Sequence, residues 1–176
     1  LDYICLENFG PYHGRQEADL TPDAQHPVIL FGGMNGGGKT TLLDILTGRL
    51  QSSRGQIMFQ NRDITRLSMF RRARAGIART FQAPIVPLSL SIAETLKAAA
   101  MAYPPYIHAE TIQQSCDFVG LEQPSQVITG TLGTLDRRKL LLAGLLMRKP
   151  SVLLLDEPAS GLLSDEISDL AKVIQA

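Results

Sequence analysis

A glycine-rich segment near the start of the chain has the residue types that bind phosphate. It matches the pattern GxxxxGK[ST] at every fixed position and comprises Gly33, Met34, Asn35, Gly36, Gly37, Gly38, Lys39 and Thr40, with Thr41 next to it. Glycines let consecutive backbone N–H groups turn towards phosphate oxygens, and the N-terminus of a following helix adds partial positive charge. In this pattern Lys39 reaches the β- and γ-phosphates and the Thr40 hydroxyl binds Mg²⁺. A flexible glycine turn is the alternative interpretation, and the strand and helix predicted on either side disfavour it.

An acidic pair follows the most apolar short run of the chain. Asp156 and Glu157 come directly after residues 152–155, whose sequence is Val-Leu-Leu-Leu. Ligands collect at the carboxyl ends of parallel strands, so we expect Asp156 to lie beside the phosphate loop and to bind Mg²⁺. Glu157 is a candidate for polarising an attacking water. An acidic pair alone is usually a solvated strand end or a helix cap, but the glycine-rich segment favours the functional interpretation.

The elements that must position these residues alternate between strands and helices. Short apolar or alternating runs predict strands at 3–9, 28–31, 55–60, 77–81 and 151–155. Helical periodicity, caps and breakers predict helices at 40–50, within 66–74, and at 91–102, 108–119, 135–148 and 165–174. This alternation predicts an α/β fold with a largely parallel sheet. The basic residues Arg71, Arg72 and Arg74 are interpreted as a solvated helix face.

Composition excludes several classes of partner. The chain has 176 residues, 17 Lys plus Arg and 17 Asp plus Glu, so its formal net charge is zero. That length predicts one domain, and the balance of charge disfavours nucleic-acid binding by counterion release or a polybasic membrane patch. The longest apolar stretch, residues 140–147, is too short to span a bilayer. Cys5 and Cys116 lack the spacing of a disulfide framework or zinc site and favour a reducing compartment.

Three further segments make the chain resemble the ABC-type ATPases. Residues 79–82, Arg-Thr-Phe-Gln, resemble the Q-loop of that family. Residues 155–158, Leu-Asp-Glu-Pro, resemble its Walker B motif, and residues 160–162, Ser-Gly-Leu, its D-loop. Segments 55–57, 63–65 and 75–82 are similar in particular to the ATP-binding subunits of branched-chain amino acid importers. The resemblance runs from about Phe31 to the C-terminus.

The resemblance implies a P-loop NTPase fold of the ABC type, with a mainly parallel central sheet and a small helical subdomain. Residues 1–176 would form one nucleotide-binding domain, in which about 83–148 make up the helical subdomain and signature region. Gln82 would contact Mg²⁺ and the attacking water, and would act with Glu157 in hydrolysis. An aromatic residue would stack on adenine, and Phe9 and Tyr12 are both candidates.

The same resemblance implies a set of partners. The chain would bind ATP with Mg²⁺, dimerise head to tail with a second, identical or different, ATP-binding subunit, and hydrolyse ATP to power import through an integral membrane permease. An amino acid is the expected type of solute, and no nucleic acid is expected as a partner. The location would be cytoplasmic, at the inner face of the membrane through the permease.

Several positions depart from the family pattern. Residues 132–136, Leu-Gly-Thr-Leu-Asp, align with the signature that usually reads LSGGQ, and Leu163 replaces the acidic or amide residue of the D-loop. The chain starts without methionine and ends at Ala176, before the strand that carries the family's switch histidine. We therefore expect a C-terminally truncated fragment or impaired hydrolysis. A nucleotide-binding module without turnover is accordingly one alternative function.

The N-terminal segment suggests another alternative. Residues 6–12 together with 31–35 resemble the opening of SMC-like DNA-repair ATPases. Those proteins insert a long coiled coil between their phosphate motifs, which requires sustained heptads. The segment between Lys39 and Asp156 contains five prolines, at positions 84, 87, 104, 105 and 124, and excludes such a coil. The resemblance of the N-terminal segment alone makes a soluble SMC-like or DNA-repair ATPase the second alternative function.

Overall fold

The computed structural model describes residues 3–9, 12–19, 28–30, 39–81, 85–101 and 107–175, with side chains from Thr40 to Ile174 within these ranges. The chain divides into two compact units. The first comprises residues 1–79 and 150–156, and the second comprises 80–149 and 157–176.

The first unit contains the described strands and two helices. In chain order these elements are β1 (Tyr3–Phe9), β2 (Tyr12–Asp19), β3 (Val28–Leu30), α1 (Lys39–Thr47), β4 (Gln56–Phe59), β5 (Arg62–Asp63), α2 (Met69–Arg74), β6 (Ile77–Arg79) and β7 (Val152–Leu155). The second unit is helical. It contains α3 (Ile92–Met101), α4 (Ala109–Phe118), a short 3₁₀ helix (Thr129–Thr131), α5 (Thr134–Leu146) and α6 (Ser164–Gln175).

A three-stranded parallel sheet has the order β3-β7-β6. Leu155 of β7 lies opposite Leu30 of β3, and Leu154 lies opposite Arg79 of β6. All four residues of β7 are buried, which explains its unbroken apolar sequence, since a central parallel strand is covered on both faces. Because the three strands run in one direction, their carboxyl ends share one edge of the sheet. The predicted α/β class with a parallel sheet is confirmed.

A second sheet is antiparallel, with the order β2-β1-β4-β5. The sequence pattern did not predict β2 or β5. The sequence of β2, Tyr-His-Gly-Arg-Gln-Glu-Ala-Asp, has no apolar alternation, and its position at the sheet edge explains how so polar a segment forms a strand. Residues Gln60 and Asn61 join β4 to β5 with φ of 50° and 57°, the left-handed pair that a tight hairpin turn requires.

Helix α1 packs its apolar side into the core of the first unit. Leu43 and Leu46 are 1% and 0% exposed and cluster with residues of β4, β6 and β7. The helix ends at Thr47 rather than at the predicted residue 50. Gly48 has a φ of 78°, and this left-handed residue terminates α1 while its N–H donates to the Ile45 carbonyl.

The interpretation of Arg71, Arg72 and Arg74 as a solvated helix face is wrong for Arg72, which is buried. Arg71 and Arg74 are exposed, but Arg72 is 1% exposed. Its guanidinium donates to the carbonyls of Ile45, Leu46, Thr65 and Leu67, at 2.6, 2.8, 2.8 and 3.0 Å. Burial lowers the pKa of Arg72. Two of these acceptors belong to the last turn of α1, where carbonyls have no partner within the helix, so Arg72 connects α2 to the end of α1.

The contribution of Asp63, in the β4–β5 hairpin, to the stability of the fold depends on pH. Hydrogen bonds from the Thr65 hydroxyl, the Gln56 side-chain amide and the Thr65 backbone N–H lower the pKa of Asp63 to about 2. A carboxyl whose folded-state pKa lies below its unfolded value stabilises the fold above the unfolded pKa, here 3.8. That contribution is lost as the pH falls from about 4 towards 2.

We therefore expect Asp63→Asn to be less stable than wild type near neutral pH, with a difference that shrinks as the pH falls through this window. Urea unfolding at a series of pH values measures it. Glu122→Gln, which removes an exposed carboxylate of the second unit, is the control. A difference for Asp63→Asn that is constant with pH would contradict the expectation.

The second unit has clear helix-start signals. Ser91 and Glu94, three residues apart, form a capping box at the start of the helix predicted at 91–102: the Ser91 N–H donates to the Glu94 carboxylate at 2.8 Å, and the Glu94 N–H donates to the Ser91 hydroxyl at 3.2 Å. Helix α5 buries Leu140, Leu142 and Ala143 and contacts α3, α4 and α6. Among the described helices of both units, none is long and apolar enough to cross a bilayer.

Candidate functional site

The predicted phosphate loop is flanked as its pattern requires. Residues Gly33 to Gly38 lie outside the described part of the chain, but β3 ends at Leu30 before them and α1 begins at Lys39 after them. Thr40 and Thr41 therefore occupy the first turn of α1. Thr40 is partly buried and Thr41 is exposed. This strand-loop-helix order is the arrangement in which backbone N–H groups bind phosphate.

Asp156 emerges at the carboxyl edge of the parallel sheet. It follows Leu155, whose strand neighbour is Leu30, so it leaves the sheet beside the segment that leads to the phosphate loop. Its side chain is 3% exposed, and its Oδ2 accepts from Nη2 of Arg79 at 2.9 Å. Burial of a carboxylate is costly unless it is paired, and Arg79 supplies that pairing.

A second carboxylate completes this buried ion cluster. Nη1 of Arg79 donates to Oδ1 of Asp44 in α1, so one guanidinium bridges a helix and a strand end. The side chain of Arg79 is 4% exposed and that of Asp44 is 13% exposed. Sequence reasoning treated Arg79 only as part of a motif and missed Asp44. The available signal was a charged residue on the mainly apolar helix that follows the phosphate loop.

Glu157 has a constrained backbone. Its φ of 46° lies in the left-handed region, which residues other than glycine, asparagine and aspartate enter with some strain. The Glu157 carbonyl accepts from the Ser160 N–H at 3.0 Å, which closes a turn. Such strain at a residue predicted to act in chemistry is typical of functional sites.

The remaining predicted residues are described only in part. Gln82 lies outside the described residues. Phe9 and Tyr12 face each other in the β1–β2 pairing, but their side chains, like that of Lys39, fall outside the described set. The choice between the two aromatics as adenine-stacking residue therefore stays open.

The described oxygen donors of Thr40 and Asp156 fit magnesium. No group of three or more His, Cys, Asp or Glu that could hold a metal occurs among the residues with described side chains. Thr40 offers a hydroxyl and Asp156 a carboxylate, both hard oxygen donors. Mg²⁺ keeps several waters and takes one or two protein oxygens together with substrate phosphates, so this sparse donor set matches it.

The region aligned with the signature lies at the start of helix α5. Leu132 is buried, and Gly133 is the N-cap of α5. Asp136, in the first turn, accepts from the Gln123 amide at 3.0 Å. The role of these residues stays a prediction.

Comparison with known proteins gives a consistent result. The sequence profile described as "ABC transporter" matches residues 18–160. The lipopolysaccharide export system ATP-binding protein LptB of Acidithiobacillus ferridurans is 32% identical over 150 residues, which covers 84% of this chain and 62% of LptB. The branched-chain amino acid transport ATP-binding protein BraF of Pseudomonas aeruginosa is 30% identical over 166 residues, covering 84% of this chain and 64% of BraF. The chain thus spans less than two thirds of these relatives.

Solved structures show the same fold. A putative ABC transporter ATP-binding protein from Pyrococcus furiosus has a TM-score of 0.76 at 25% identity, covering 98% of this chain and 81% of that one. CbiO1 of Clostridium perfringens, part of the transporter complex cbiONQ, has a TM-score of 0.76 at 24% identity, covering 99% and 72% of the two chains. The P-loop NTPase fold of the ABC type is thereby confirmed. None of these four proteins supports the SMC-like alternative.

Proposed function

Because the chain belongs to the ABC transporter family, we propose that it binds MgATP and hydrolyses it as the ATP-binding subunit of a transporter. The observation that carries this proposal is the position of Asp156, a buried carboxylate at the sheet edge where β3 leads to the phosphate loop and α1. A catalytic P-loop site needs an acidic residue at that place to bind Mg²⁺.

Each site residue has a proposed task. Lys39 and the backbone N–H groups of residues 33–38 bind the phosphates, and Thr40 and Asp156 bind the metal. Glu157 orients and polarises the attacking water, and Gln82 contacts both that water and Mg²⁺. When bound, Mg²⁺ neutralises charge on the β- and γ-phosphates.

The transported solute is proposed to be an amino acid. BraF is named for branched-chain amino acid transport, and so are LivF of Archaeoglobus fulgidus, at 33% identity, and LivG of Escherichia coli, at 28% identity. LptB, at 32% identity, is named for lipopolysaccharide export instead. The names of BraF, LivF and LivG support an amino acid as the solute. Segments 55–57, 63–65 and 75–82 support the importer type.

The proposed partners follow from the same function. A second ATP-binding subunit would complete the dimer, and an integral membrane permease would bring the chain to the cytoplasmic face of the membrane. The chain's zero formal charge is in keeping with attachment through a protein partner, since an anionic lipid surface attracts polybasic segments.

We expect Lys39→Ala to weaken binding of MgATP by about tenfold or more, because a charge-assisted hydrogen bond is worth roughly 1.5–3 kcal/mol. Titration of the purified chain with a fluorescent ATP analogue in excess Mg²⁺ measures the dissociation constant. Lys172→Ala, which removes an ammonium that is 76% exposed, is the matched control. Equal affinities for the Lys39 and Lys172 variants would contradict the proposed site.

A further inference from the structure

The bridge made by Arg79 links the two elements that present the proposed metal ligands. Asp156 follows the central strand β7, and Asp44 lies on α1. Arg79 contacts both carboxylates, each through a different terminal nitrogen. All three side chains belong to the first unit, so the bridge is internal to one compact body.

The position of Asp44 in α1 also fixes the position of Thr40. The two residues are four positions apart in α1 and so lie on the same side of the helix, one turn from each other. A rigid helical turn connects the Thr40 hydroxyl to the carboxylate that Arg79 binds. Fixing Asp44 against Asp156 therefore fixes the first turn of α1 against the second proposed metal ligand.

The register of the sheet places Arg79 and Asp156 on the same side. Arg79 pairs with Leu154 in the parallel ladder, and Asp156 comes two positions after Leu154. Residues that are opposite each other, or two apart along a strand, project to one face. Leu154 faces the core that includes α1, so Arg79 reaches Asp44 on that face.

The positive charge of Arg79, taken by itself, would weaken the binding of a cation at Asp156. A guanidinium beside a metal-binding carboxylate repels a divalent cation, so its removal would strengthen cation binding if repulsion were its main effect. Positioning acts the other way, since a carboxylate that is held in place by a hydrogen bond loses less freedom when it binds a metal. The sign of the change on removing Arg79 separates the two effects.

We propose that Arg79 is a positioning residue, which holds Asp156 and the first turn of α1 at the spacing that a divalent cation requires. The inference rests on the proposed MgATP site. Arginine suits this task because its planar fork donates to two carboxylates at once, whereas lysine is a point charge.

The decisive variant is the double substitution Asp44→Asn with Arg79→Gln. It removes one negative and one positive charge, so the cluster keeps the formal charge of the wild type but loses the bridge. The readout is the dissociation constant of a fluorescent ATP analogue, measured in excess Mg²⁺ and in EDTA. The ratio of the two constants gives the gain in affinity that Mg²⁺ provides.

In the double variant and in Arg79→Gln we expect the gain in affinity from Mg²⁺ to be smaller than in the wild type by a factor of about ten or more. A loss of this size is typical when a residue that orients a metal ligand is removed. Affinity in EDTA should stay near the wild-type value. Arg79→Lys keeps the buried positive charge and hence the fold, which far-UV circular dichroism checks, but it should also lose most of the gain. Arg49→Gln is the matched control, because Arg49 approaches Asp44 at 3.5 Å while 57% exposed, and it should keep the full gain.

A double variant or an Arg79→Lys variant with the wild-type gain would overturn the proposal for Arg79 and leave the nucleotide site intact. A stronger Mg²⁺ gain in Arg79→Gln would also overturn it, in favour of simple repulsion. Wild-type chain that binds no nucleotide in either condition would instead overturn the proposed function, and with it the inference.

Discussion

Arg72→Met is expected to lower the free energy of unfolding by about 3 kcal/mol. The substitution removes the guanidinium that donates to four backbone carbonyls. The Ile45 carbonyl keeps a hydrogen bond from the Gly48 N–H, but each buried polar group that is left unsatisfied costs roughly 1–3 kcal/mol. Methionine fills much of the volume and removes a buried charge, which offsets part of this loss. Urea unfolding followed by circular dichroism measures the difference.

Arg71→Met is the matched control for this experiment. Arg71 is the preceding residue of the same short helix and is exposed, so its substitution should change stability by no more than about 0.5 kcal/mol. Comparable losses for the two variants would contradict the role assigned to Arg72. Arg72→Lys should also be strongly destabilised, because one ammonium cannot donate to carbonyls spread over α1 and the segment from Thr65 to Leu67.

The second large effect is expected from Glu157→Gln. If Glu157 polarises the attacking water, its amide counterpart should hydrolyse ATP about 10²–10⁴-fold more slowly, the range that general-base catalysis contributes. Nucleotide affinity should change little, because the substitution keeps the size of the side chain. Phosphate release under saturating MgATP measures the rate, and titration with the fluorescent analogue measures affinity.

Glu122→Gln provides the control for a lost surface carboxylate, since Glu122 is exposed in the second unit. It should hydrolyse ATP at the wild-type rate. A Glu157→Gln variant as fast as the Glu122 variant would exclude Glu157 as the general base. Wild-type chain that binds MgATP without hydrolysing it would support the alternative of a nucleotide-binding module without turnover.

The parts of the site that depend on local sequence were predictable. The phosphate loop is a contiguous pattern, and the structure has the expected strand before it and helix after it. The burial of β7 followed from an unbroken apolar run, and the position of Asp156 followed from the rule that ligands collect at carboxyl ends of parallel strands. In each case a few adjacent residues contain the whole signal.

The residues that connect distant segments were not predictable. Arg72 looks like its neighbours Arg71 and Arg74 in sequence, and only the position of α1 distinguishes it. Arg79 contacts Asp44, which is 35 positions before it in the chain, and Asp156, which is 77 positions after it. No local sequence pattern predicts contacts between residues so far apart. Strand β2 was missed for a different reason, because an edge strand needs no apolar alternation.

The central strand of the parallel sheet is also the last of the strands that the structure describes. Strand β7 lies between β3 and β6, yet the residues of the helical unit from Thr80 to Lys149 separate it from β6. On a ribosome, β3 and β6 are synthesised long before the strand that joins them. Parallel pairing across such sequence separation is slow, because the loop must close before the contact forms. The carboxyl edge of the sheet that presents Asp156 can therefore form only after residues 80–149 have been synthesised, so the pairing of β7 is a late step in the folding of the first unit.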